Sequence, residues 1–189
     1  MASIETASLA GGSSAHARLF LALWPQAAAL SDTLAFRSSM SWPAAARPTP
    51  PDKLHVTLHF IGDVARERLP EVVAGLPTAP RAVDLIFDRF EVWPGGIAVL
   101  TASRVLSALA VLHAETAKAL RRLALPVDTR EYRPHVTLAR RAELANRPTP
   151  YPLHAPVRWH SDGYALVESA EGRYRILSRH GQAKGTSCG

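Results

Sequence analysis

The tetrapeptide His-Val-Thr-Leu occurs twice in this chain, as His55-Val56-Thr57-Leu58 and as His135-Val136-Thr137-Leu138, 80 residues apart. Each copy opens a stretch of strand composition, LHVTLHFI over residues 54–61 and PHVTLA over residues 134–139. Successive side chains of a strand point to opposite faces. His55 and Thr57 therefore share one face, with Leu54, Val56, Leu58 and Phe60 on the other, and His135 and Thr137 repeat the arrangement. The same parity puts His59 beside His55 and Thr57. A fold that uses both copies must bury two apolar stripes and leave two His/Thr stripes free for chemistry.

The surrounding pattern is repetitive as well. Residues 18–24 (RLFLALW) read as a buried strand stopped by Pro25, and residues 26–40 as a helix with Ala27, Leu30 and Leu34 at helical spacing. A Pro/Ala-rich loop covers residues 41–52 and leads into the first His strand, which Gly62-Asp63 is expected to end in a turn. A short helix is predicted near residues 66–76. Residues 83–93 and 97–101 read as a hairpin about Pro94-Gly95-Gly96. The clearest helix spans residues 104–124, where Val105, Leu109, Leu112, Thr116, Ala119 and Leu123 form one apolar stripe. Lys118, Arg121 and Arg122 suit its C-terminal dipole, and Pro126 stops it. Residues 164–168 and 173–177 predict a second hairpin around Gly172. Strand, helix, His strand thus occurs twice.

The expected fold is α+β and bilobal: two similar antiparallel-sheet-plus-helix lobes around a central cleft, each giving one His-x-Thr strand. A single domain is expected over residues 18–178. Residues 1–17 and 179–189 are small and polar and read as disordered tails.

Of the 189 residues, 47% are hydrophobic, enough for a sizeable core. The net charge of +6 and a pI near 10.1 favour anionic partners. The arginines are spread along the chain, so charge alone does not separate a nucleic-acid partner from a solvated basic surface. One cysteine, Cys188, excludes an internal disulfide framework and a cysteine-built metal site. The longest early apolar run, residues 19–24, is too short for a signal segment or a membrane span. A cytoplasmic, membrane-free monomer is expected.

Two imidazoles that titrate near neutrality provide a base and an acid. Phosphodiester cleavage needs both: one group takes a proton from the nucleophile and the other gives one to the leaving oxygen. Two threonine hydroxyls beside them can hydrogen-bond the non-bridging oxygens as charge builds on phosphorus. The scheme needs no metal and no cofactor. His16, His113, His154, His160 and His180 fall in a tail, on a helix, in Pro-rich loops or near the chain end and are not expected in the site. His59 reads as a rim residue. Tyr132 and Trp42 suit either base stacking or packing.

The paired motif resembles the H-x-T-x signature of the two-histidine (2H) phosphoesterase superfamily, and most of all the bacterial RNA 2′,3′-cyclic phosphodiesterases, historically called 2′-5′ RNA ligases. Residues 18–23 (RLFLAL), 54–62 (LHVTLHFIG), 134–140 (PHVTLAR) and 166–169 (LVES) carry the likeness, which spans about residues 18–178. The resemblance implies metal-independent hydrolysis of RNA 2′,3′-cyclic phosphate ends to 2′-phosphates. It implies His55 as donor to the departing 3′ oxygen and His135 as acceptor from water, with Thr57 and Thr137 on the phosphate oxygens. From the residues alone, identical motifs do not tell acid from base. Arg140 matches an arginine used near the phosphate, yet simple alternation puts it on the Val136/Leu138 face. Either a bulge turns it inward, or Arg141 takes the place. Other readings of the same site are another cyclic phosphate, 2′-5′ ligation, or a non-catalytic module that binds RNA ends.

Overall fold

The computed structural model describes residues 15–79, 81–143 and 151–181. The rest of both expected tails lies outside them. The chain runs β1 (His16–Leu23), α1 (Ala27–Ser38), β2 (Arg47–Pro48), β3 (Val56–Ala65), α2 (Leu69–Gly75), β4 (Val83–Trp93), β5 (Ile97–Thr101), α3 (Ser107–Arg122), β6 (His135–Arg140), β7 (Tyr151–Ser161), β8 (Gly163–Ala170) and β9 (Arg173–Gly181). The α+β class holds, and no described helix is long and apolar enough to cross a membrane.

All strand pairings are antiparallel and link into one sheet of order β7-β4-β5-β6-β3-β1-β8-β9, with β2 added against β6. The centre is thin: β3 and β6 meet through the single pair Val56–Val136. Outward from it the two halves repeat, β3-β1-β8-β9 on one side and β6-β5-β4-β7 on the other. In each half the His strand lies beside the strand that precedes it across a helix, β1 and α1 before β3, β5 and α3 before β6.

The helices cover one sheet face. Leu109, Leu112, Thr116 and Ala119 of the predicted α3 stripe are buried. In α1, Phe36 packs on Phe90 of β4 at 6.0 Å between ring centroids. Thr33 accepts a 2.9 Å bond from Trp159 Nε1 of β7, so that buried indole is not left unpaired. The core includes Leu19, Leu21, Leu23, Val56, Leu100, Val136 and Leu138, the apolar stripes of four central strands. On the other face Phe20, Ala22, Ala165 and Val167 form a small cluster with Trp24. That face carries the site.

Three expectations change. Gly62 does not end β3. Its φ of +87° sits at a register slip, where Leu19 pairs with Gly62 but Phe20 with Phe60, so a bulge absorbs the glycine inside the strand. The Pro-rich stretch holding His154 and His160 is the edge strand β7 rather than loops; edge strands tolerate Pro152 and Pro156, because one row of backbone donors has no ladder partner. The loop at residues 41–52 contains the two-residue strand β2 and begins a 3-10 turn at Pro51–Lys53.

Candidate active site

The first His strand begins where the Pro51–Lys53 turn delivers a fully buried Leu54 into the core. His55 Nδ1 lies 2.7 Å from the Lys53 carbonyl oxygen, and His135 Nδ1 lies 2.8 Å from that of Arg133. A carbonyl only accepts, so in both rings Nδ1 carries hydrogen and donates. Nε2 is then the nitrogen left for chemistry. His55 Nε2 also lies 3.2 Å from Thr57 Oγ1. Extending the Val56–Val136 register sets His55 opposite Thr137 and Thr57 opposite His135. The two motifs are thus related by an approximate two-fold axis through the valine pair.

All four side chains line one cavity of about 550 Å³. Arg18, Arg47, Lys53 and Arg140 join them, and its described lining has no carboxylate. Arg47 and Arg140 are direct cross-strand partners. Like charges facing each other across a ladder are unfavourable, so this pair is suited to an anion between them.

Burial is the main force lowering the proton affinity of both histidines below the ordinary imidazole value. At His55 the Lys53 carbonyl opposes it and the facing His135 adds to it. At His135 the Arg133 carbonyl and Glu91 oppose it, while the Arg133 and Arg140 charges add to it. The surroundings differ. His55 is stacked on Trp24 at 5.2 Å and flanked by Phe20 and Tyr174. His135 packs on Trp93 at 4.5 Å.

A family model described as LigT-like phosphoesterase matches residues 29–98, which include the first His motif and end before the second. The structure of apo E. coli LigT superposes with a TM-score of 0.74 at 26% identity, covering 88% of this chain and 97% of that one. E. coli LigT complexed with 3′-AMP gives 0.73 at 25% identity, over 87% and 97%. TT0787 of Thermus thermophilus gives 0.71 at 22% identity, over 87% and 97%. No curated protein sequence matches significantly. The family match and these superpositions support the two-histidine phosphoesterase superfamily.

In this chain the strand parity fails at one equivalent place in both motifs. Opposite β1, Leu21 pairs with His59 and Ala22 with Thr57, skipping Leu58. Opposite β5, Ala98 pairs with Ala139 and Val99 with Thr137, skipping Leu138. Each His-Val-Thr-Leu therefore ends in a bulge, and residues beyond it change face. The bulge turns Arg140 into the cavity, whereas Arg141 lies outside it in the left-handed region at φ +54°. It also overturns two expectations of regular alternation. Phe60 lines the cavity and is 50% exposed. His59 goes to the other face, buried under α3, with Nε2 3.0 Å from the His113 carbonyl oxygen and its ring stacked on His113.

Neither base-stacking candidate is in the cavity. Tyr132 stacks on His113 at 4.0 Å, and Trp42 packs on Phe90 while donating to the Arg37 carbonyl. Sequence reading missed Arg47 and Lys53, which sit in a stretch read as loop and are brought in by β2 and the 3-10 turn. It also missed Tyr174, the second residue of β9. A signal existed for Lys53: it stands two residues before His55, as Arg133 does before His135.

Proposed function

We propose that this phosphoesterase hydrolyses RNA ends bearing a 2′,3′-cyclic phosphate to 2′-phosphates, without a metal. The observation that carries this reading is the pair of Nδ1-tethered imidazoles lining one cation-rich cavity, with Thr57 Oγ1 3.2 Å from His55 Nε2 and Thr137 in the same lining. E. coli LigT has been seen with 3′-AMP and with phosphate, which makes a nucleotide phosphate a reasonable occupant here.

Neutral His135 takes a proton from water at Nε2 as the water oxygen bonds to phosphorus. The bond from phosphorus to the 3′ oxygen breaks, and protonated His55 gives its Nε2 proton to that oxygen. The product carries a 2′-phosphate and a free 3′ hydroxyl, and proton exchange with solvent restores both rings. Thr57 and Thr137 donate to the non-bridging oxygens, and Arg140 balances their charge. Electrostatic and hydrogen-bond stabilisation of this kind is worth about 10²–10³ in rate per well-placed donor.

The test is 31P NMR of a short oligonucleotide with a 2′,3′-cyclic phosphate end, incubated with the protein in EDTA. The cyclic signal should convert to a 2′-monophosphate signal, and His55→Ala or His135→Ala should each slow conversion by about 10²–10⁴. Turnover that needs added metal, or that survives both substitutions, contradicts the proposal.

A further inference from the structure

The two motifs are identical in sequence, so whatever distinguishes the roles of His55 and His135 must come from their surroundings. The residue two places before each histidine supplies the carbonyl that holds Nδ1, and in both cases it is a cation. Lys53 gives its ammonium to a neutral group, the Gly172 carbonyl. Arg133 gives its guanidinium to a carboxylate, Glu91, at 2.9 and 3.1 Å.

Glu91 is more than a salt-bridge partner. Its side chain is only 14% exposed, and its oxygens also accept from Trp93 Nε1 at 2.8 Å and from Thr101 Oγ1 at 2.7 Å. Each donor touches His135 in a different way. Trp93 packs against the imidazole, Thr101 is the cross-strand partner of His135, and Arg133 supplies the carbonyl that holds Nδ1. One carboxylate thus gathers three groups that fix the ring and leaves its own charge close by.

We infer that Glu91 is a positioning residue that makes His135, rather than its twin His55, the proton acceptor of the site. A base gains positive charge as it takes a proton from the nucleophile, so a nearby fixed anion favours the histidine that takes it. His55 sits instead among Phe20, Trp24 and Tyr174, and no carboxylate is among the groups that shift its proton affinity. The other charges that bear on His135 are Arg133 ahead of its strand, Arg140 at the end of that strand and the facing His55, with Arg47 of β2 lining the same cavity. Against these cationic groups, Glu91 is the carboxylate among the described residues that raises the proton affinity of His135.

This inference rests on the two-histidine reaction proposed above for its meaning, but its test needs no substrate. The imidazole proton resonances of His55 and His135 are titrated by NMR in the full-length protein, wild type and variants. Glu91→Gln should lower the titration midpoint of His135 and leave that of His55 in place. Arg133→Gln should do the opposite at His135, raising it, because the guanidinium charge is removed while Trp93 and Thr101 still hold the anion. A merely structural carboxylate would not lower His135 while sparing His55, and Glu91→Asp should restore part of the wild-type midpoint. With substrate, Glu91→Gln should lower kcat about tenfold with little change in KM, the lower end of losses seen when the group behind a functional histidine is removed. An unmoved His135, or equal shifts at both histidines, would overturn the assignment. If Glu91→Gln does not fold, Glu91→Asp decides: its shortened carboxylate should lower the His135 midpoint part of the way and leave that of His55 in place, and an unmoved His135 overturns the assignment. A failure of cyclic-phosphate turnover with the predicted midpoints intact would instead count against the substrate.

Discussion

At His55, burial among Phe20, Trp24 and Tyr174 and the facing His135 both disfavour a positive charge, and at His135 burial and two arginines do the same. In the proposed reaction, the competent free protein needs one of the pair protonated and the other neutral. Both affinities lie below the ordinary value of about 6.5 for a free imidazole, so that state is populated on the acid side and lost as pH rises through the lowered values. The kcat/KM profile for a cyclic-phosphate end should therefore be a bell centred below about pH 6.5, whose two limbs belong to the coupled pair. A rate that keeps rising through about pH 8 would mean that proton transfer by these two rings does not limit the reaction. Bound substrate acts the other way: its negative charge raises both affinities, so kcat should extend to higher pH than kcat/KM.

Bulges decide what faces the cavity. Leu58 and Leu138 are both skipped in their ladders, and the skip brings Phe60 and Arg140 to the chemical face while sending His59 under α3. Simple alternation yields His55, Thr57, His135 and Thr137 because they precede the skip, and fails just after it. A bulge is a property of two paired strands, so the sequence of one strand does not contain it. Gly62 marks a second slip in β3, and its φ of +87° is the reason a glycine stands there. An added Cβ would meet nothing nearer than Phe60 Cε1 at 3.9 Å, so Gly62→Ala costs backbone strain and not a clash. That substitution should lower unfolding stability by about 1–2 kcal/mol, read from the denaturant midpoint with an unchanged slope. A neutral result would mean that the strand relaxes out of the left-handed conformation.

The whole molecule is a sheet pinned by one residue pair at its centre, with similar halves to either side. Its α+β class and repeated strand-helix-His strand order were legible in the chain, because apolar periodicity and turn residues act locally. The edge strand β7 was not, since prolines masked its alternation of Val157, Trp159 and Ser161. Nor was the basic wall, whose Arg47 and Lys53 come from a stretch with no periodic signal. The unequal shells of the two histidines were equally hidden, because Glu91, Trp93 and Thr101 reach His135 only through the β4–β5–β6 ladder. What the assembly achieves is to hold two equal motifs across one cavity, where the proposed acid and base would meet a single phosphate.

That claim is tested most directly by a double-mutant cycle on kcat with His55→Ala, His135→Ala and the two combined, using the same cyclic-phosphate oligonucleotide. If both rings act on one phosphate in a shared step, each single variant loses about 10²–10⁴. The double variant should then fall far short of the product of those losses, as groups that work as a unit do. Losses that multiply in full would mean that the histidines contribute independently, and would contradict the account.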